Sequence, residues 1–262
     1  MKLLDRGGVV ALDKPTGVSM ATSSRGGSGA EAVGRLLAAC GEPPDPELLL
    51  VHRLDVGTSG VVLLARGEAA HRALSLAFQN RRARKTYRAL VWGRPAPAEG
   101  RFEDPLGRDP KDGRRMKARA DGKPARTAYR TLARLPSVTD LELSPETGRT
   151  HQIRVHLSAH GHPIVGDDLY GGATRWRGVR EASHRSALAA VERPLLHAAR
   201  VEVPELGLDV AAPLPEDYRR ALAALAVSPR GTPKRSGTGT TRPPSTTSRR
   251  ESASRGAGRR YR

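Results

Sequence analysis

The sequence predicts an α+β domain on a mixed, largely antiparallel central sheet flanked by helices, and three observations carry that expectation. Short runs of branched apolar residues bounded by turn formers recur at 9–12, 48–51 and 61–65, the pattern of buried strands. Segments between such runs place apolar residues at helical spacing, the pattern of helices packed on a sheet. Two further strand-like runs, 126–135 and 138–143, are separated only by Pro136 and Ser137, a turn that sets neighbours antiparallel.

Taken in order, the first strand covers 9–12 and ends at Lys14-Pro15, because proline lacks the ladder donor and restricts the residue before it. Residues 19–29 are a Ser- and Gly-rich loop. A helix is expected over 30–40, with Val33, Leu36, Leu37 and Cys40 on one side and Gly41 as its C-terminal stop. Three prolines, Pro43, Pro44 and Pro46, stiffen the approach to the strand at 48–51. After the strand at 61–65, a helix over 68–80 carries Ala70, Leu74, Ala77 and Phe78 on one side. The basic run Arg81-Arg82-Ala83-Arg84-Lys85 follows directly.

The strand at 85–92 places Tyr87 and Ala89 on one face and Thr86 and Arg88 on the other. Residues 94–124 are polar, rich in Gly and Pro and basic from Lys111 to Arg119, and read as an excursion from the core that could embrace a polyanion. Beyond the paired strands, Thr150 is expected to N-cap a helix over 150–160 that Gly161 stops. On that helix Arg154 points where the N-terminal residues point. A closing helix over 215–226 starts at Pro215, where the missing N–H costs little.

The 262 residues divide into a globular domain at 1–227 and a tail at 228–262. The tail is Ser, Thr, Gly, Pro and Arg with almost nothing apolar, so disorder is expected there. Its ten Lys or Arg against the single Glu251 give it about +9, half of the formal +18 of the chain. A pI near 11.2 points to a polyanionic partner, nucleic acid before an anionic membrane surface, although an Arg-rich coding bias would also raise it. No apolar run approaches the roughly 18 residues of a bilayer span. With no signal-peptide pattern either, a cytoplasmic protein without membrane association is expected. Cys40 is the only cysteine, which excludes an internal disulfide and a Cys-rich zinc site.

The chemistry concentrates at residues 51–60, VHRLDVGTSG, a polar loop held between two apolar strands. Gly57 and Gly60 permit unusual backbone or close approach, and the Thr58 and Ser59 hydroxyls can fix the loop, so it can hold Asp55 rigidly. An ordinary polar turn is the alternative on composition alone. His156 and His160 share the spacing of zincin ligands, but the Glu of H-E-x-x-H is missing and no metal is expected. A hydrolase built from Ser59, His52 and Asp55 lacks the G-x-S-x-G elbow.

His52-Arg53-Leu54-Asp55 followed by Thr58-Ser59-Gly60 resembles the H-R-L-D-x-x-T-S-G signature of the RluA-type RNA pseudouridine synthases. The similarity extends to VALDKPTG at 10–17, KTYRALVWG at 85–93 and GRTHQIRVH at 148–156, four motifs in family order. Leu195 to Ala198 and the apolar residues from Val201 to Val203 resemble the family's last core strand. The resemblance implies the pseudouridine synthase fold and an isomerase acting on uridines in ribosomal or transfer RNA. It implies Asp55 as the catalytic carboxylate, Arg154 as its partner and Tyr87 as the ring against which an extruded base stacks. Arg53 resembles the residue that fills the space the base leaves. His52, Arg149, His151, Arg84 and Lys85 are the further RNA-contact candidates.

The implied reaction has no redox step or external group, so no cofactor is expected, and the enzyme is expected to act as a monomer. The early position of the Lys-Pro-x-Gly strand suggests a stand-alone catalytic domain. A non-catalytic RNA-binding or ribosome-assembly protein on the same scaffold is the alternative.

Overall fold

The computed structural model describes residues 1–21 and 29–226. Most of the loop expected over 19–29 and the tail expected over 228–262 lie outside the described residues. The chain opens with a hairpin, Lys2–Arg6 (β1) and Val9–Lys14 (β2). Its two-residue turn, Gly7 and Gly8, has φ of 60° and 74°, the backbone that right-twisted hairpins favour and that only glycine adopts without strain. Helix Gly29–Cys40 (α1) then leads through Leu48–Leu50 (β3) and the loop of Asp55 into Ser59–Arg66 (β4). Glu68–Gln79 (α2) follows, and Arg84–Trp92 (β5) returns to the sheet.

The expected excursion over 94–124 contains three strands, Glu99–Phe102 (β6), Leu106–Arg108 (β7) and Met116–Ala118 (β8). Thr127–Arg134 (β9) and Val138–Pro145 (β10) pair antiparallel as expected. Gln152–Ala159 (α3) and Ala182–Ala189 (α4) follow, then Leu196–Val203 (β11), Leu208–Ala211 (β12) and Glu216–Ala226 (α5).

The main sheet has 10 strands along the path β1-β2-β4-β11-β5-β10-β9-β6, with β3 on β4 and β12 on β11. Among the described pairings only β11 with β4 is parallel. β2 and β4 are buried on both faces, so each reads as a near-continuous apolar run. Val9, Ala11, Val61 and Leu63 pack with Leu74 and Ala77 of α2. Val10, Leu12, Val62 and Leu64 meet Val33, Leu36 and Leu37 of α1 on the other side. Along β5 the alternation repeats: Ala89 and Val91 face Ile153 and Leu157 of α3, and Leu90 and Trp92 face α5. Asp140, buried in β10, accepts from Arg88 and from the Tyr218 hydroxyl of α5 at 2.8 Å, so a polar link also ties that helix to the sheet. Among the described residues no helix is long and apolar enough to cross a membrane.

Two expectations need correction. Thr150 does not cap α3: the N-cap position belongs to His151, with φ 55° and no side-chain cap bond. The turn is held instead by Gln152, whose Oε1 accepts from the Thr147 hydroxyl at 2.6 Å and from the Arg149 N–H at 3.0 Å. The excursion over 94–124 is not wholly outside the core. β6 forms the sheet edge on β9, and Leu106 and Ala125 pack with Val155 and Tyr170 beside α3.

Candidate active site

Sheet register brings the centre of the site together. Ala198 of β11 pairs with Gly60 on one side and with Tyr87 on the other, so the end of the Asp55 loop and Tyr87 lie one strand apart. Gly60 is required there: a Cβ on it would lie 2.2 Å from the Ala198 carbonyl oxygen. Ser59 points into the protein, with Oγ 3.0 Å from Nδ1 of fully buried His197.

The carbonyls from Asp55 to Thr58 all have donors. Thr58 N–H donates to Asp55 O at 3.0 Å and Gly17 N–H to Val56 O at 2.9 Å. Arg193 donates to Gly57 O at 3.3 Å. Lys14, fully buried, donates to Val56 O at 3.3 Å, Thr58 O at 2.8 Å and its neighbour Pro15 O at 3.0 Å. Burial pulls the Lys14 ammonium down to about 8 against the opposing pull of the Asp55 carboxylate. A loop with its backbone acceptors occupied has few ways to move, which preorganises the carboxylate it carries.

Asp55 Oδ2 faces two groups of the 148–156 motif, Arg154 Nη1 at 3.6 Å and His151 Nε2 at 3.9 Å. Both distances exceed a good hydrogen bond, so the carboxylate is flanked by positive potential while its oxygens stay open to the cleft. Arg154 makes its close contacts elsewhere: Nε and Nη2 form a bidentate pair with fully buried Asp167 at 2.7 and 2.8 Å. Burial works against the Arg154 charge, but the Asp167 hydrogen bonds together with the Asp167 and Asp55 charges outweigh it and leave the guanidinium more basic than usual. Burial also lowers His151, with Asp55 opposing, which favours a neutral imidazole.

Every residue nominated from the sequence lines one cleft of about 1060 Å³: Asp55, Tyr87 and Arg154, and also Arg53, His52, Arg149, His151, Arg84 and Lys85. Arg53 and Arg84 are exposed. Arg149 Nε donates to Pro124 O at 3.2 Å. Burial lowers the Lys85 ammonium. Tyr87 packs against the clusters under α1 and α3, and burial, with the Asp55 charge, raises its hydroxyl, keeping the ring neutral.

His52 is committed inward: its Nε2 accepts the Leu63 N–H at 2.9 Å and its ring stacks on Phe78 at 4.5 Å. Burial, aided by the Lys85 charge, pushes it down to about 3. His156 and His160 are engaged with Thr127 and Asp104, and among the described residues no group of three His, Cys, Asp or Glu could hold a metal. Reasoning from sequence passed over Lys14 as a ligand of the loop and Asp167 as the anchor of Arg154. The signal for Asp167 was the unassigned acidic segment GDDLYGG at 166–172, because a buried arginine needs an anion beside it.

A family model described as RNA pseudouridylate synthase matches residues 8–159, which include the Asp55 loop and both groups facing it. The chain is 46% identical over 180 residues to an uncharacterized RNA pseudouridine synthase of Chloroflexus aurantiacus, a match covering 67% of this chain and 53% of that protein. It is 37% identical over 221 residues to ribosomal large subunit pseudouridine synthase D of Xanthomonas campestris, covering 83% of this chain and 66% of that one. The chain thus spans about half to two thirds of the length of these relatives. Two solved human structures, RNA Pseudouridylate Synthase Domain Containing 4 and Domain Containing 1, match with TM-score 0.64 at 26% identity. They cover 85% and 87% of this chain and 92% and 95% of their own.

Proposed function

The chain belongs to the RNA pseudouridylate synthase family, in its RluA-type branch, and we propose that it isomerises selected uridines in structured RNA to pseudouridine with Asp55 as the catalytic carboxylate. The observation that carries this reading is Asp55 itself, on a loop fixed by Lys14, flanked by Arg154 and His151, and opening into the same cleft as Tyr87.

The uracil leaves the stack, its N1–C1′ bond breaks, the ring turns, and a C5–C1′ bond forms. The C5 proton departs and N1 regains one, so the reaction is atom-neutral and draws on no cofactor. Asp55 acts on the nucleotide at the sugar or the ring, with the Arg154 guanidinium as the positive charge beside it. Tyr87 supplies the apolar face for the extruded base. Arg53 fills the gap left in the RNA stack, and Arg149, Arg84 and Lys85 meet phosphates, as their charge favours.

The relatives named for the ribosomal large subunit make its RNA the first substrate to examine, with transfer RNA the alternative; the setting is cytoplasmic and the active form a monomer. The test uses RNA tritiated at uridine C5. The wild-type protein should release tritium and leave pseudouridine at a few mapped positions. No release from either ribosomal or transfer RNA would overturn the reading.

A further inference from the structure

Tyr170 lies three residues beyond Asp167 in the 166–172 segment, and none of these roles uses it. It is 4% exposed, and its ring touches both groups that face Asp55. The Arg154 guanidinium lies 5.0 Å from the ring centroid, and the Tyr170 hydroxyl is 2.8 Å from Nδ1 of His151. The same hydroxyl accepts the Met116 N–H at 2.9 Å, at the start of β8 in the basic hairpin, where Arg115 also lies over the ring at 5.5 Å.

The two partners of the hydroxyl suit one arrangement of these hydrogen bonds. With the Met116 N–H directed at its oxygen, the Tyr170 hydroxyl has its own proton free to donate to His151. In that arrangement Nδ1 carries the lone pair and Nε2 the proton. That tautomer turns an N–H toward Asp55 Oδ2; the other would turn a lone pair toward the carboxylate and repel it.

We propose that Tyr170 is a positioning residue that holds His151 in the Nε2–H tautomer, aimed at Asp55, from a hydroxyl pinned by the hairpin backbone at Met116. The proposal rests on the pseudouridine synthase reading for its consequence in turnover, but the tautomer itself is independent of it. Removing the hydroxyl removes its hydrogen bonds with His151 and the Met116 N–H and leaves the ring under Arg154 in place.

The experiment compares wild type, Tyr170→Phe, His151→Ala and the double variant. Tyr170→Phe should slow single-turnover conversion about tenfold, the scale of one such hydrogen bond, with RNA affinity within a few-fold. In the His151→Ala background it should slow turnover no further, because a residue that acts through another is silent once that other is gone. Wild-type turnover in Tyr170→Phe, a full additional loss in the double variant, or a change confined to RNA affinity would each overturn the proposal.

Imidazole nitrogen NMR shifts supply a readout that needs no activity. The His151 signals, assigned by their loss in His151→Ala, should show a bare Nδ1 in the wild type and lose that preference in Tyr170→Phe. A protonated Nδ1 in the wild type would overturn the proposal even in a protein that modifies no RNA, and that lack of modification would count against the function reading alone.

Discussion

Arg154 reaches Asp55 with a single nitrogen, Nη1 at 3.6 Å, because its Nε and Nη2 are held by Asp167 at 2.7 and 2.8 Å. The guanidinium is a fixed charge whose position is set from behind, and two carboxylates share it unequally. Asp167 is fully buried, whereas the Asp55 side chain is 27% exposed.

Arg154→Ala should therefore do two separable things. It strands the Asp167 carboxylate in the protein, which should cost about 3–5 kcal/mol of stability. It also removes the charge beside Asp55, which should slow turnover by about a hundredfold or more. Arg154→Lys should recover only part of each, because an ammonium cannot serve Asp167 bidentately and still face Asp55. Denaturant unfolding and single-turnover rates read the two effects. A wild-type rate in the alanine variant would remove Arg154 from the site.

Lys14→Met should take the Lys14 donor from the Thr58 carbonyl and leave the Val56 carbonyl with the Gly17 N–H alone, on either side of Gly57. The expected loss is on the order of 2 kcal/mol of stability, with a fall in turnover larger than any change in RNA affinity, since the loop that aims Asp55 is loosened. Equal turnover in the variant would show that the loop keeps its shape without the ammonium.

His197, fully buried, is pushed by burial down to about 4. The unfolded chain binds a proton there near pH 6.5, while the folded one stays neutral until about pH 4. The folded state is thus favoured above pH 6.5 and loses ground as pH falls through that window, by up to about 1.4 kcal/mol per pH unit. Urea unfolding from pH 7 to pH 4.5 should show a shallower decline in His197→Gln than in the wild type. An unchanged slope would mean that His197 does not govern it.

The hairpin β1–β2 shows why parts of the fold escaped sequence reading. Its Gly7-Gly8 turn is a plain signal, but Lys2–Arg6 has no period-2 alternation because it is a half-exposed edge strand. β6 likewise buries only Phe102 along its length. In α4 only His184 and Leu188 are buried, too few to mark a helical face. By contrast β2 and β4 were legible because two-sided burial writes apolar runs into them, and β5 because its residues alternate. The cleft residues came from motif resemblance, since spacing could not have brought Tyr87 within one strand of Gly60. Asp167 and Tyr170 were missed because their roles depend on tertiary contacts with Arg154 and His151.

Removal of residues 228–262 deletes ten Lys or Arg and one Glu, about +9. Binding to RNA should weaken, and log affinity should fall less steeply with log salt, by roughly 0.7 to 0.9 for each phosphate that the shortened chain leaves unneutralised. The modified position should stay the same. Titrations from low to moderate salt that give parallel lines would show that this segment does not touch RNA.

The most direct test of the central claim is Asp55→Asn, which keeps the size of the side chain and removes its ionised carboxylate. Tritium release from C5-labelled RNA under single-turnover conditions should vanish, while RNA affinity stays within a few-fold of wild type and thermal unfolding is little changed. Substantial conversion by a folded Asp55→Asn protein would contradict the assignment of Asp55 as the group that acts on the nucleotide.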